Sequence, residues 1–241
     1  MIVTIMQPYF FPYIGYFQLM HAVDVFVFYD DVQFIKGGWI NRNRILVGGR
    51  LHWLTLPLKH DALSKAINQR FYVLGKTTQQ VKQKLNAAYF RSHAFNDSSG
   101  FLYELLDFGN PNVAAFNMNL LRKTAEQLNL RCNFVTSSEI GVSKDLNGES
   151  RVIRLCEALG ANHYINPIGG ASLYDPAHFA NAGLRLSFLR TACSPTRFED
   201  GEAYLSIVDL VMREGFDGCR PQLGQYKILS KEELAGSLFS H

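Results

Sequence analysis

Apolar residues recur along this chain first as short unbroken runs and then at helical spacing, the alternation expected of strands interleaved with helices. Ile2–Met6 reads as a buried strand, residues 16–22 as a short helix, and residues 25–29 as a second strand rich in β-branched and aromatic side chains. Residues 41–47, then Gly48-Gly49, then 51–56 read as a hairpin closed by Pro57. Residues 69–73 suit a further strand, and 77–89 a helix with Val81, Leu85 and Ala88 on one face. A short helix follows at 101–107, an amphipathic one at 113–128, and a strand at 132–135 that ends in Ser137, Ser138 and Glu139. The second half repeats the rhythm: helix 149–159 stopped by Gly160, strand 163–166, helix 176–182 stopped by Gly183, strand 184–190 and helix 205–213. The tail from residue 218 carries little pattern, and no repeat or low-complexity linker interrupts the chain. This order predicts an α/β fold with a mostly parallel central sheet flanked by helices. It forms a single domain over residues 1–241 with a helical insertion or small lobe over 75–129.

Three segments concentrate candidate chemistry, each following a predicted strand. In open α/β sheets ligands sit outside the carboxyl ends of the strands, so these positions matter more than their composition alone. The first segment, Gln7 to Tyr16, is long, aromatic and doubly proline-restricted, whereas loops at such positions are usually short and polar. Gln7, Tyr13 and Gly15 are its candidate ligand contacts, with the following helix N-terminus as a seat for an anion. Phe10, Phe11 and Phe17 equally suit packing over the sheet edge. The second segment is Asp30-Asp31-Val32-Gln33, continued by Trp39-Ile40-Asn41-Arg42-Asn43-Arg44. Adjacent carboxylates point in opposite directions, so one can face a ligand while the other caps the next turn. Arg42 and Arg44 share one face of a strand, a spacing that suits phosphate, and Asn41 and Asn43 share the other. The third segment runs from Asn166 to Asp175, where Gly169-Gly170 offers bare backbone amides and Tyr174 a phenol. All three are expected to open into one crevice.

Composition narrows the setting. Hydrophobic residues make up 47% and charged residues 19% of the chain, which excludes disorder over most of its length. The net charge is +3, and Lys and Arg form no block or stripe, which argues against nucleic acid as a partner. Cys132, Cys156, Cys193 and Cys219 are far apart, with no CxxC pair and no metal-ligand spacing among the histidines, so reduced thiols in a cytoplasmic protein are expected and no metal ligands are assigned. The apolar N-terminus lacks a basic leader and is broken by Gln7, Pro8, Pro12 and Gln18, so neither a signal peptide nor membrane insertion is expected. Phosphate-loop, GxGxxG, HExxH and GxSxG motifs are absent.

Met6-Gln7-Pro8-Tyr9-Phe10-Phe11-Pro12-Tyr13-Ile14-Gly15-Tyr16-Phe17, Tyr29 to Phe34 and Trp39 to Ile45 together resemble the WbqC-like family. Tyr164 to Gly170, Leu173-Tyr174 and Leu205-Ser206-Ile207-Val208-Asp209-Leu210 are similar to that family's second half, and the chain departs from its pattern mainly at 73–80. The resemblance implies a role in bacterial surface polysaccharide, such as O-antigen, or in related modified sugars. The implied reaction attaches an amino acid or other acyl group to the amine of a nucleotide-activated amino sugar. Asp30 or Asp31 would orient the amine or take its proton, and Gln7 and Asn43 would hold hydroxyls or the oxyanion. Arg42, Arg44, Gly169 and Gly170 would hold phosphates, with Gln33, Trp39, Asn41, Tyr13, Gly15 and Tyr174 as further contacts. ATP and Mg²⁺ are needed only if the acyl group is activated on the enzyme; a thioester donor removes that need. The element strand, Pro-Tyr-Ile-Gly-Tyr, helix also resembles the strand, His-x-Gly-His, helix element of nucleotidyltransferases and class I aminoacyl-tRNA synthetases, with tyrosines in place of histidines. A nucleotidyltransferase acting on a sugar phosphate, and a non-catalytic module that binds a sugar nucleotide or a partner enzyme, are therefore the alternatives. Association into a homo-oligomer stays open.

Overall fold

The computed structural model describes residues 1–146, 148–198 and 201–237; positions 238–241 of the expected domain lie outside them. Its strands are Ile2–Met6 (β1), Val25–Phe28 (β2), Arg42–Val47 (β3), Arg50–Thr55 (β4), Asn133–Thr136 (β5), His163–Pro167 (β6), Arg185–Thr191 (β7), Thr196–Phe198 (β8), Gly201–Ala203 (β9) and Tyr226–Leu229 (β10). Its helices are Ile14–Ala22 (α1), Lys76–Tyr89 (α2), Phe95–Leu106 (α3), Val113–Gln127 (α4), Gly148–Ala158 (α5), Pro176–Asn181 (α6), Ile207–Cys219 (α7) and Lys231–Ser237 (α8). Six strands form one sheet in the order β10, β7, β6, β1, β2, β5, parallel throughout except for β10 against β7.

Alternation along the strands feeds two cores. Phe26, Phe28, Ile165 and Leu189 face a layer built by α1, α2 to α4 and α7, with Phe17, Leu85, Phe116, Leu120 and Val211 at its centre. Val3, Ile5, Val25, Val27, Tyr164 and Phe188 face the opposite layer, where α5, α6 and α8 contribute Val152, Leu155, Phe179 and Leu234. Helices therefore cover both faces of a parallel sheet, as strands apolar on both sides require. The three helices α2 to α4 share the first core with α1 and α7.

Several elements differ from their expected form. Residues 69–73 make isolated bridges, Leu58 to Tyr72 and Phe71 to Asn112, instead of a strand. The neighbouring stretch is short and Pro57 has no N–H to extend a ladder. Helix α3 begins at Phe95, six residues before the expected start, across a polar Asn-Asp-Ser-Ser-Gly run of low helix propensity. Packing overrides that propensity: Ser98 is buried and its hydroxyl donates to the Val211 carbonyl of α7. Helix α7 breaks at Gly215, whose φ of +72° only glycine adopts easily, so its first part ends close to residue 213 as expected. Strand β10 arises from the weakly patterned tail because its four residues pair at an edge and are only partly buried.

The loop between β1 and α1 is the most constrained part of the fold. Pro8, Phe10, Phe11 and Pro12 are buried, and a buried loop must find partners for its backbone polar groups. The Gln7 carbonyl accepts from the Tyr16 hydroxyl at 2.7 Å and the Pro8 carbonyl from Asn117 Nδ2 at 2.8 Å. Asn43 Nδ2 donates to the Phe10 and Phe11 carbonyls at 3.2 and 2.8 Å, and Ser206 Oγ adds a second bond to Phe11 at 2.8 Å. The Pro12 carbonyl takes the Ile207 N–H at 2.8 Å. Phe11 itself sits at φ +42°, a costly conformation for a bulky residue that persists only where its surroundings enforce it. Asn43→Ala is expected to lower unfolding free energy by about 1–3 kcal/mol through the orphaned Phe10 carbonyl. Asn41→Ala, whose amide serves only the Leu56 carbonyl from a half-buried position, is expected to cost less. Urea denaturation of the two variants checks the order.

Candidate functional site

β1, β2 and β6 are neighbours in the sheet, and the segments that follow them all leave from one edge. From β1 the chain builds outward through β2 to β5, then crosses to the other side of β1 and continues through β6 and β7. The strand order thus reverses between β1 and β6, and a crevice opens where successive connections diverge. Gln7 stands at the end of β1, Asp30 and Asp31 follow β2, Ser137 and Ser138 follow β5, and Gly169-Gly170 follows β6.

The acidic pair is buried and fully engaged. Asp30 accepts from Asn68 Nδ2 at 2.8 Å and from the Ser138 N–H and hydroxyl at 3.1 and 2.9 Å, and lies 3.0 Å from Ser137 Oγ, whose one proton it shares with Asp31. Asp31 accepts from Ser137 Oγ and from an Arg151 guanidinium N–H, both at 2.6 Å, and Lys144 lies 3.9 Å away. The side chains of Asp31 and Arg151 are 1% and 3% exposed, so this is a desolvated ion pair. Burial by itself raises the Asp31 pKa; hydrogen bonds from Arg151 and Ser137, with the charges of Arg151 and Lys144, outweigh it and hold the carboxyl below its ordinary value. Arg151 also lies over the Tyr29 ring, 5.2 Å from its centroid. Both carboxylates therefore fasten the β2 end to the turn after β5 and to α5. Arg151, Asn68 and the two serines were not assigned this role by the sequence. Only a charged residue in the first turns of α5, beside its apolar face, hints at it.

Gln7 is half-buried at the crevice and its amide makes no hydrogen bond to a described residue. Tyr13 packs against Tyr204 with ring centroids 5.1 Å apart; burial, then Tyr204 and Tyr9, push its phenol up to about 12. Its ring also explains Gly15: a Cβ there would lie 2.3 Å from Tyr13 Cε2, so this glycine accommodates the tyrosine. Tyr13, Tyr204, Asp209 and Arg213 line a small cleft of about 60 Å³. Tyr16, at the other histidine-like position, is buried and committed to the Gln7 carbonyl.

The remaining candidates are dispersed. Gln33 is exposed and donates to the Leu63 carbonyl. Arg42 bonds the Gly37 and Gly38 carbonyls and lies 4.2 Å over Trp53, while Arg44 lies 5.1 Å over Trp39 and 5.9 Å over Trp53. These arginines project from the hairpin face opposite Asn43, and so away from the loop that Asn43 holds. Gly169 and Gly170 lie in a 3₁₀ turn over Ile168–Leu173 and neither has a positive φ, so their amides do not form an alternating nest. Gly169 is exposed with open space around it, and Gly170 packs on the Asn166 amide. Tyr174 stacks edge-on against Tyr164 and Phe179, and burial raises its pKa. Among the described residues no three His, Cys, Asp or Glu side chains gather where they could hold a metal ion, and no helix is long and apolar enough to cross a membrane.

Comparison with known proteins adds two findings. The sequence profile described as the WbqC-like protein family matches residues 7–220. An uncharacterised protein of Mycobacterium tuberculosis is 27% identical over 202 residues, which cover 77% of this chain and 80% of the relative. No solved structure matches the chain.

The ion pair gives stability a defined pH dependence. The folded pKa of Asp31 lies below its unfolded value near 3.8, so the stabilisation is complete above that value and is lost as pH falls through the folded pKa. Asp31→Asn is expected to flatten the acid limb of an unfolding-midpoint profile. Arg151→Met, which strands the carboxylate, is expected to cost about 3–5 kcal/mol at neutral pH. Midpoints measured from pH 2 to 7 check both.

Proposed function

The chain belongs to the WbqC-like protein family, and from that premise and the crevice geometry we propose that it is a transferase of bacterial surface-polysaccharide or modified-sugar biosynthesis. In this reading it attaches an amino acid or other acyl group to the amine of a nucleotide-activated amino sugar. The observation that carries it is the reversal of strand order between β1 and β6, with Gln7, half-buried and with no described partner for its amide, following β1 and the exposed Gly169 turn following the adjacent β6 at the same sheet edge. A nucleotide-linked sugar lies along such a crevice, with its phosphates toward backbone amides and its sugar toward polar side chains.

In the reaction the neutral amine attacks the acyl carbonyl, a C–N bond forms, the leaving group departs with the electron pair of the broken bond, and the proton lost by the nitrogen passes to that leaving group or to solvent. Gln7 offers its amide N–H to the oxyanion that develops on the carbonyl. Asp30 and Asp31 work as positioning residues: their carboxylates are held by internal donors, and they fix the crevice wall at the end of β2. The buried aromatic loop keeps water from one side of the crevice, which protects an activated acyl group. A donor activated on the enzyme would bring ATP with Mg²⁺, and a thioester donor would not. The nucleotidyltransferase alternative loses support from Tyr16, whose hydroxyl is buried on the Gln7 carbonyl where an imidazole would be needed to meet a phosphate.

A thermal-shift panel of nucleotides, nucleotide sugars and nucleotide amino sugars tests the reading. A nucleotide amino sugar is expected to raise the midpoint most, by an increment that grows with concentration over Kd. Gln7→Ala is expected to abolish the increment while leaving the unliganded midpoint within about a degree, since no described group depends on that amide. A panel in which no nucleotide derivative stabilises the protein overturns the proposal.

A further inference from the structure

The modest overall charge conceals a sharp partition. Residues 32–96 hold 11 of the 24 Lys and Arg but only one of the 21 acidic residues, Asp61, which is paired with Lys65 at 2.7 Å. The rest of the chain is correspondingly acidic. No run of consecutive cations marks this segment, because no two of its basic residues are adjacent in sequence. The same segment carries six of the nine large apolar side chains exposed among the described residues: Ile35, Trp53, Leu63, Phe71, Val73 and Phe90. A single exposed apolar residue needs no explanation, but a cluster interleaved with cations does.

The backbone gathers several of these groups on one face. From residue 53 to 59 burial alternates: Leu54 and Leu56 are buried and Leu58 half-buried, while Trp53, Thr55, Pro57 and Lys59 are exposed. Arg44 and Arg42 stand opposite Trp53 and Thr55 in the hairpin register, and residues directly opposite share a face. On the other flank the Val73 N–H donates to the Pro57 carbonyl and the Lys59 N–H to the Phe71 carbonyl, both at 2.8 Å. Tyr72 between them is buried, so Phe71 and Val73 project outward beside Pro57 and Lys59. Helix α2 completes the surface: Thr77, Gln80 and Lys84 line a cleft of about 240 Å³ with Trp53, Thr55 and Pro57, and Lys84 Nζ donates to the Trp53 carbonyl at 2.9 Å.

We propose that this face, centred on Trp53, Phe71 and Val73 and ringed by Arg42, Arg44, Lys59 and Lys84, docks the protein peripherally on an anionic lipid bilayer. Charge complementarity draws the face to acidic headgroups. The outward Trp, Phe, Val and Pro side chains suit the boundary between headgroups and acyl chains. A single-stranded nucleic acid is a poorer occupant. It binds by stacking bases on free ring faces, whereas the Arg42 guanidinium already covers a face of Trp53 at 4.2 Å and Val73 and Pro57 offer no ring.

Co-sedimentation with phosphatidylcholine vesicles, with and without phosphatidylglycerol, tests the inference in the full chain. Binding is expected only to the anionic vesicles, weakening with salt. The chain has two tryptophans, so Trp39→Phe leaves Trp53 as the reporter. Its emission is expected to shift blue on anionic vesicles and to be quenched by brominated acyl chains. Lys59→Glu with Lys84→Glu is expected to weaken partitioning on the order of tenfold or more. Phe71→Ser with Val73→Ser is expected to remove the salt-resistant part, with circular dichroism and unfolding midpoint matching the parent. Failure to sediment with phosphatidylglycerol vesicles at low salt overturns the proposal. So does binding that the double charge reversal leaves unchanged, an absence of brominated-lipid quenching, or an oligonucleotide that displaces the protein from vesicles while quenching Trp53.

Discussion

A buried loop has to account for every carbonyl it carries, and that requirement organises the molecule around the β1 to α1 connection. Two prolines remove donors from the loop without removing acceptors, so the missing N–H groups come from distant parts of the chain. Asn43 arrives from the hairpin, Asn117 from α4, Ser206 and the Ile207 amide from the start of α7, and Tyr16 from α1. The loop therefore acts as the hub on which the hairpin, the central helices and the C-terminal helix agree. Its left-handed Phe11 is tolerated because its carbonyl is held twice. Asp209 extends the same logic, accepting the Tyr89 hydroxyl at 2.6 Å and both Arg213 contacts, so that α2 and α7 are joined through one buried carboxylate.

A rigid loop at the end of β1 and an ion-paired wall at the end of β2 leave the β1–β6 reversal preorganised. Asp31 and Arg151 are worth little as a source of net stability, because desolvation offsets their attraction. Their value lies in geometry: Asp31 ties the turn after β5, through Ser137, to the start of α5, through Arg151. The Gln7 amide makes no hydrogen bond to a described residue.

The charge partition adds a second organising feature. Residues 32–96 hold 11 of the 24 cations and most of the exposed large apolar side chains described, while all but one of the 21 acidic residues lie elsewhere in the chain. A molecule so divided orients in the field of any charged surface before it touches it.

The sequence alone determined the architecture, because strand and helix periods differ and each buried face must repeat its own period. Short apolar runs at 2–6, 25–29 and 163–166, alternating with helical spacing, leave few arrangements besides a parallel sheet between helices. It also marked the loop and the twin-glycine turn, since proline, glycine and aromatic residues announce unusual backbone at the places where they stand. What it could not convey was the destination of each polar side chain. Asn43, Asp30 and Asp31 look like ligand groups in one dimension, yet their partners, Phe10, Ser137 and Arg151, are between 33 and 120 positions away. Arg42 and Arg44 were legible as a pair on one face, but only the packing of Asn43 on the loop decided which way that face points. The outward face formed by residues 53–59 and 71–73 likewise exists only because two distant stretches pair side by side. Local propensity and period are carried by neighbours in sequence, whereas hydrogen-bond satisfaction and charge pairing are settled among neighbours in space.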